Sequence, residues 1–407
     1  MHDGVPRERT SASGRRPGRP GGFVIGRILG IDVEIDSSWL FIFVLVTWSL
    51  ASGFATVHRD WSPLLRLTTA LAASLLFFAS VLAHELCHCL VARARGLPVH
   101  RITLFLFGGV SNLEREPASA STEFFMALVG PLSSLLLGVV FGALGVLWVG
   151  PGVFRAAESP AVLSRLGPLP TLFLWLGPIN VILGVFNLIP GFPLDGGRIL
   201  RSILWAATND LQKATRWAAG VGQLIGWLFI FAGISMVFGA AVPLFGAGVV
   251  NGLWLAFIGW FLHNAAAASQ GRAVVDHLLE DLPVARLMRR DMPTVPSDMT
   301  LGTLVYEHVI GTDERSFAVL DNGALSGSVS IDDVRKIPRA RWDATTVRDV
   351  MTPAGQLGSI RPGARAAEAY RELAERGMRQ IPVVEDGHLM GFFRLSDVTR
   401  WLELQRR

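Results

Sequence analysis

The sequence predicts a polytopic α-helical membrane protein, with about six spans and a membrane-associated β-hairpin, followed by a C-terminal α/β portion built as a repeat. Three observations carry this. The chain of 407 residues is 51% hydrophobic and only 17% charged, against about 25% charged for an average soluble protein; its mean hydropathy is +0.43. The deficit of charge is local: residues 1–22 and 271–407 are rich in Arg, whereas the middle is nearly free of charge. Residues 282–403 contain two copies of one pattern.

Residues 1–22 carry Arg7, Arg9, Arg15, Arg16 and Arg19 among Gly, Pro and Ser. No apolar run follows closely enough for a signal peptide, so a disordered, cytoplasmic tail is expected. A hydrocarbon core about 30 Å thick needs roughly 20 apolar helical residues. Ser38–Ala55, Leu67–Arg93, Phe124–Gly150 and Leu166–Leu194 supply four such segments. Ala218–Leu262 is uncharged throughout; as one helix it would be about 68 Å long, too long for one crossing. Gly239–Gly246, with Pro243, is the expected turn, giving spans five and six.

The net charge is +4. The basic residues cluster in short segments beside the spans, and no basic patch carries interleaved aromatics, so topology control is expected and nucleic-acid binding is not. Arg93, Arg95 and Arg101 follow span two; Arg198, Arg201, Lys213 and Arg216 separate spans four and five; Arg272 follows span six. With six spans these fall on one side, against Arg59 and Arg66 on the other. Both termini and the C-terminal repeat are therefore expected in the cytoplasm. Two Lys against abundant Arg, with much Ala and Gly, point to a high-GC bacterium and its plasma membrane. Cys87 and Cys89 lie two apart on a predicted helix, face different ways and cannot bridge each other; both are expected as small buried hydrophobes.

The chemistry concentrates in His84-Glu85-Leu86-Cys87-His88, at the end of the uncharged run Leu67–Ala83. Residues i and i+4 share one helix face, so His84 and His88 can converge on one ion, with Glu85 within reach of a water on it. Ionisable groups at such depth are costly unless used. Catalytic zinc usually takes three protein ligands. Span four ends in Asn187-Leu188-Ile189-Pro190-Gly191-Phe192-Pro193-Leu194-Asp195-Gly196-Gly197-Arg198. Asp195 is the one carboxylate near this stretch, and the topology returns it to the membrane side of His84. Its alternative role is to cap the helix that starts near Gly196. Between spans two and three, Leu97–Pro117 is rich in β-formers and contains Gly108-Gly109, a hairpin signal. Such a hairpin is either a surface loop or an edge strand offered to an extended substrate.

These residues resemble the site-2 protease family of intramembrane zinc metalloproteases. The matching motifs are His84-Glu85-Leu86-Cys87-His88, Phe107-Gly108-Gly109, Leu128-Val129-Gly130-Pro131, and Asn187…Pro190…Pro193-Leu194-Asp195-Gly196-Gly197, within a transmembrane domain expected over residues 23–270. The resemblance implies zinc held by His84, His88 and Asp195, with Glu85 as general base. It implies a substrate-positioning asparagine, Asn180 or Asn187, and the edge-strand reading of the hairpin adds substrate contacts from Gly108 and Gly109. The expected substrate is a membrane-tethered regulatory protein, such as an anti-sigma or pro-sigma factor, cleaved within its transmembrane segment. No PDZ insertion interrupts the motifs.

In the repeat, Val284…Met288 matches Val347…Met351, Phe317-Ala318-Val319 matches Ile381-Pro382-Val383, and Gly327…Asp333 matches Gly391…Asp397, an offset of 64 residues for the last pair. Each copy reads as strand, helix, strand, strand, helix, too small to bury a good core alone. The copies, at 282–337 and 344–403, resemble a tandem CBS (Bateman) module, which implies an adenosine nucleotide such as ATP or AMP between the halves. The family's ligand positions fall on Gly327, Ser330 and Asp333 in copy one, and on Gly391, Arg394 and Asp397 in copy two, where Arg replaces the hydroxyl residue. The expected nucleotide-binding residues are Ser330, Asp333 and Asp397. The alternatives are that the aspartates are helix caps, or that the pair is a dimerisation surface making a homo-oligomer. CBS modules on a membrane domain also fit a gated transporter or channel, which would spread polar residues over several spans, and a non-proteolytic scaffold is the third reading.

Overall fold

The computed structural model describes residues 22–106, 108–113, 117–150, 163–243, 245–291, 293–312, 314–321, 323–376, 378–386 and 388–405. The chain divides into two units, Met1–Ser269 and Gln270–Arg407.

Unit one opens with strands β1 (Gly22–Ile28) and β2 (Ile31–Asp36), which the sequence reading did not anticipate; Gly22, expected in the tail, already belongs to β1. The turn between them is two residues, Leu29 and Gly30, both at positive φ, the conformation whose twist suits a tight hairpin. Helix α1 (Ser37–Val57) follows directly, capped by Asp36, whose carboxylate accepts from the Ser38 amide at 2.9 Å. Helix α2 (Pro63–Ala94) starts with Ser62 as cap and Pro63 in the first turn, as a proline with a redundant N–H should be placed. After α2 come β3 (Val99–Phe105) and β4 (Gly108–Leu113), then α3 (Ala120–Val149), α4 (Pro168–Asn187), α5 (Asp195–Thr208), α6 (Leu211–Val237) and α7 (Val249–Glu280).

The four strands form one sheet in the order β1-β2-β3-β4, with β2 parallel to β3 and the outer pairs antiparallel. The expected hairpin is therefore half of a larger sheet, with β4 at its edge. Phe105 pairs with Gly108 and Leu104 with Gly109. The two glycines thus open β4 rather than make the turn; Phe107 lies outside the described residues. Alternation along β2 and β3 buries Ile31, Val33, Ile102 and Leu104, and this face joins Trp39, Phe78, Val81, Cys89, Ala92 and Met126 in one core. Cys89 is the small buried hydrophobe expected, whereas Cys87, on another face of α2, is only half-buried.

Among the described residues six helices are long and apolar enough to cross a membrane: α1, α2, α3, α4, α6 and the Val249–Gly271 part of α7. Their outer surfaces expose Trp48, Leu136, Val139 and Phe231, the arrangement expected where lipid rather than water is the solvent. The fourth span is shorter than the uncharged stretch Leu166–Leu194 suggested: the helix ends at Asn187, and two prolines carry the chain through a non-helical turn before α5. Helices α3 and α4 touch backbone to backbone. A Cβ on Gly138 would stand 2.6 Å from Val181 and 3.0 Å from the Gly177 carbonyl, the small-residue contact by which membrane helices approach closely.

Unit two holds the repeat. Copy one contains β5 (Thr294–Val295), β6 (Ser316–Asp321), β7 (Ala324–Ser330) and the short helix α8 (Ile331–Arg335), with β8 (Thr352–Pro353) completing a sheet in the order β5-β6-β7-β8. Copy two contains α9 (Ala366–Arg376), β9 (Gln380–Glu385), β10 (His388–Arg394) and α10 (Leu395–Gln405). Its first strand shrinks to a single bridge, Ile360 to Val383. The cores are exchanged. Val284 and Met288, at the start of copy one, pack with Ile381, Val383 and Phe393 of copy two. Val347, at the start of copy two, packs with Phe317, Val319 and Val329 of copy one. Backbone bonds fix the exchange: the Val284 amide donates to the Ala364 carbonyl and the Val347 amide to the Met299 carbonyl, at 2.9 and 2.8 Å. Each copy finishes the other's core, which is why a single one would be too small.

Candidate metal centre

Helix α2 presents His84 and His88 on one face, one turn apart, both buried. Their Nε2 atoms lie 3.1 Å apart. Asp195, the first residue of α5, brings Oδ2 to 3.0 Å from Nε2 of His84 and 3.1 Å from that of His88. The alternative role for Asp195 is not adopted: the cap of α5 is Leu194 and no side chain caps its amides. Asp195 reaches the histidines because the turn before it folds tightly over the start of α5. A Cβ on Gly196 would collide with the carbonyls of Leu188 and Ile189, and one on Gly197 with the backbone of Gly191 and Phe192. Only glycine permits that approach at either position.

Both imidazoles are oriented from α3. Nδ1 of His88 lies 2.5 Å from the Met126 carbonyl and Nδ1 of His84 lies 2.9 Å from the Ser134 hydroxyl. A carbonyl only accepts, so Nδ1 of His88 carries its proton and a neutral ring leaves Nε2 as a lone pair. Such a lone pair, a facing imidazole nitrogen and a carboxylate oxygen then meet within hydrogen-bonding range, and a cation resolves the conflict. Two imidazoles, one carboxylate and outer partners that fix the rings make the donor set of a catalytic zinc site. Among the described residues these three are the group able to hold a metal ion, their ligand atoms all lying within 4.8 Å of one another.

Glu85 points off the same helix toward the sheet. Its stem packs on Gly109, where a Cβ would collide with it, and its carboxylate makes no hydrogen bond among the described residues. β4 thus passes beside the glutamate. Gly108 has open space where a Cβ would stand, at φ +130. The asparagines are not drawn into the cluster. Asn180 is fully buried, its Nδ2 donating to the Leu176 carbonyl at 2.9 Å, with Oδ1 unpartnered among the described residues. Half-buried Asn187 donates to the Leu183 carbonyl at 3.0 Å.

Sequence reasoning missed four contributors. Ser134 and the Met126 carbonyl carry no signature of their own, although Gly130 between them lies in a quoted motif. Glu123 and Arg201 form a buried ion pair between α3 and α5; a carboxylate at the head of an apolar span was the available signal.

In unit two, Ser330 and Asp333 form a capping box at α8, with the Ser330 hydroxyl donating to Asp333 Oδ2 at 2.6 Å. Burial pushes the Asp333 carboxyl up, but bonds from Lys336 and Ser330 outweigh it and hold it below the usual aspartate value. Asp397 is gripped by Arg394 through both oxygens, at 2.7 and 3.0 Å, while the third guanidinium nitrogen reaches Glu314 at 3.3 Å.

The sequence matches Peptidase family M50 over residues 72–166 and 151–233, and the CBS domain over 284–339 and 347–404. It is 32% identical to Rip3 of Mycobacterium tuberculosis, over 94% of this chain and 93% of that one. It is 32% identical to sll0528 of Synechocystis, over 93% and 95%, and 26% identical to MJ0392 of Methanocaldococcus jannaschii, over 93% and 95%. The names of all three include zinc metalloprotease. This family assignment displaces the transporter and scaffold readings. The chain belongs to Peptidase family M50, as a membrane zinc metalloendopeptidase of the site-2 protease type with a C-terminal tandem CBS pair.

Proposed function

We propose that His84, His88 and Asp195 hold the zinc, that Glu85 is the general base, and that the enzyme cuts the transmembrane segment of a membrane-tethered regulatory protein. The observation that carries this reading is the convergence of two imidazole nitrogens and one carboxylate oxygen, with Glu85 on the same helix beside them. Zinc held there would supply Lewis acidity, enough to bring the pKa of a water toward about 7 and to polarise a peptide carbonyl. Glu85 takes the proton of the attacking water and passes it to the leaving amine as the C–N bond breaks. Met126 and Ser134 hold the imidazoles in register throughout. A helical substrate hides its carbonyls in internal hydrogen bonds and must unwind first. β4 is a sheet edge passing Glu85, so Gly108 and Gly109 can pair with the extended segment; Asn180 or Asn187 completes the hold. An anti-sigma or pro-sigma factor has the required architecture of one span joined to a regulatory domain.

The CBS pair binds an adenosine nucleotide that modulates cleavage. Ser330 and Asp333 offer a hydroxyl and a carboxylate at the end of β7. Copy two differs, because Arg394 already engages Asp397. Both termini lie in the cytoplasm, the side favoured by the arginine distribution. The test of the metal site is zinc stoichiometry in the purified protein: one zinc per wild-type chain, and loss of it in His84→Ala, His88→Ala and Asp195→Ala. Full zinc in any of these variants would remove that residue from the site.

A further inference from the structure

Glu123 and Arg201 are buried charges of unit one that the reaction does not use, as is Glu34, which pairs with Arg101 on the sheet. Glu123 is fully buried near the start of α3, and Arg201 is 8% exposed on α5. Nε of Arg201 donates to Glu123 Oε1 at 2.7 Å, and Nη2 donates to the same oxygen. Arg198 Nε stands 3.8 Å from it. The guanidinium of Arg201 also lies over the Phe192 ring, 5.3 Å from its centroid. Arg201 therefore grips both the helix that orients the histidines and the turn that delivers Asp195.

We propose that the Glu123–Arg201 pair is the positioning element that fixes the Asp195 carboxylate against His84 and His88, and so sets the zinc affinity of the site. This rests on the reading of those three residues as zinc ligands. The geometry points to it in two steps. Glu123 is three residues from Met126 on the helix whose Met126 carbonyl and Ser134 hydroxyl bind the two imidazoles. Arg201 is six residues along α5 from Asp195 and packs on Phe192, three residues before it. The ion pair thus joins α5, which supplies Asp195, to α3, which holds the imidazoles of His84 and His88 through Ser134 and the Met126 carbonyl. A buried ion pair contributes little net stability compared with apolar residues of equal volume, but it specifies one register between the elements it joins. A site of three ligands needs that register held to a fraction of an ångström.

The experiment is zinc affinity of the full-length protein in detergent, by competition with a chromophoric chelator, together with the zinc-induced rise in melting temperature. The variants are Glu123→Gln, the paired neutral Glu123→Gln/Arg201→Gln, and Arg201→Lys, with Asp195→Asn as control. The paired variant leaves no unmatched buried charge, so it carries the test if Glu123→Gln alone fails to fold. The expected result is a zinc Kd raised ~10–100-fold in the paired variant, as for other partners that orient metal ligands, with a smaller increase in Arg201→Lys, which keeps the charge. The zinc-induced rise in melting temperature shrinks in step, whatever happens to the zinc-free baseline. A purely structural pair would lower the baseline and leave the Kd alone; a Kd within about twofold of wild type in the paired variant overturns the proposal. Wild-type affinity in Asp195→Asn would instead overturn the ligand reading beneath it.

Discussion

Gly130 of α3 lies against His84 and His88, the proposed zinc ligands: a Cβ built there would collide with the His88 ring and stand 2.7 Å from Nε2 of His84. The candidate metal centre is thus assembled by α2 pressing its histidine face onto a helix that leaves room for it and supplies a hydrogen-bond partner on either side of the gap. Gly130→Ala forces the rings away from Asp195. The expected outcome is a chain that still inserts and carries little zinc, read as zinc per protein after purification. Wild-type zinc content would mean the rings can shift at no cost to the site.

Ser134 is a gentler probe of the same helix. Ser134→Ala removes the partner of His84 Nδ1 without changing packing volume much. Zinc affinity should fall ~10–100-fold, and activity at limiting zinc should fall with it. Saturating zinc should recover most of the activity, because the ligands and Glu85 remain.

Removing the metal should abolish cleavage reversibly. Dialysis against a zinc chelator leaves His84, His88 and Asp195 in place, and added zinc should restore activity. Activity persisting in protein shown to be zinc-free would contradict the mechanism.

In the CBS unit, the Ser330–Asp333 capping box predicts a local stability effect. Ser330→Ala should destabilise the start of α8 by ~1 kcal/mol, measured by hydrogen exchange of β7 and α8 peptides in the full-length protein. Asp333→Asn adds a pH signature. The folded carboxyl sits below its usual value, so its contribution is complete above the ordinary aspartate pKa of about 3.9 and fades as pH falls through the folded value. Wild type and variant should differ in protection at pH 6 and converge as the pH falls below 4.

Much of the site could be read from sequence because it is written in residue chemistry. His84 and His88 announce themselves by spacing on an apolar helix, and Asp195 by being a carboxylate where the chain returns to the same membrane side. What escaped depends on contacts between distant elements. Glu123 and Arg201 are far apart in sequence, and the Met126 acceptor is a backbone atom that any residue could supply. β1 and β2 were not anticipated because residues 23–36 carry no motif of their own before the first apolar span, although Ile31, Val33 and Ile35 alternate as a half-buried strand should. The Gly108-Gly109 pair signalled a hairpin but not its register: the turn falls two residues earlier, and the glycines serve instead to bring β4 onto Glu85. In the repeat, the pattern revealed two copies but not that Val284 and Val347 fill each other's cores.

The central claim is that Glu85 is the base of an intramembrane zinc protease. Its most direct test is cleavage of a panel of single-span bacterial regulators, co-expressed with wild type or with Glu85→Gln and read by product size. The substitution keeps the shape of the side chain and leaves all three ligands in place. The account predicts a shortened product with wild type and none with Glu85→Gln, although both retain one zinc per chain. Equal product from the two proteins would contradict it.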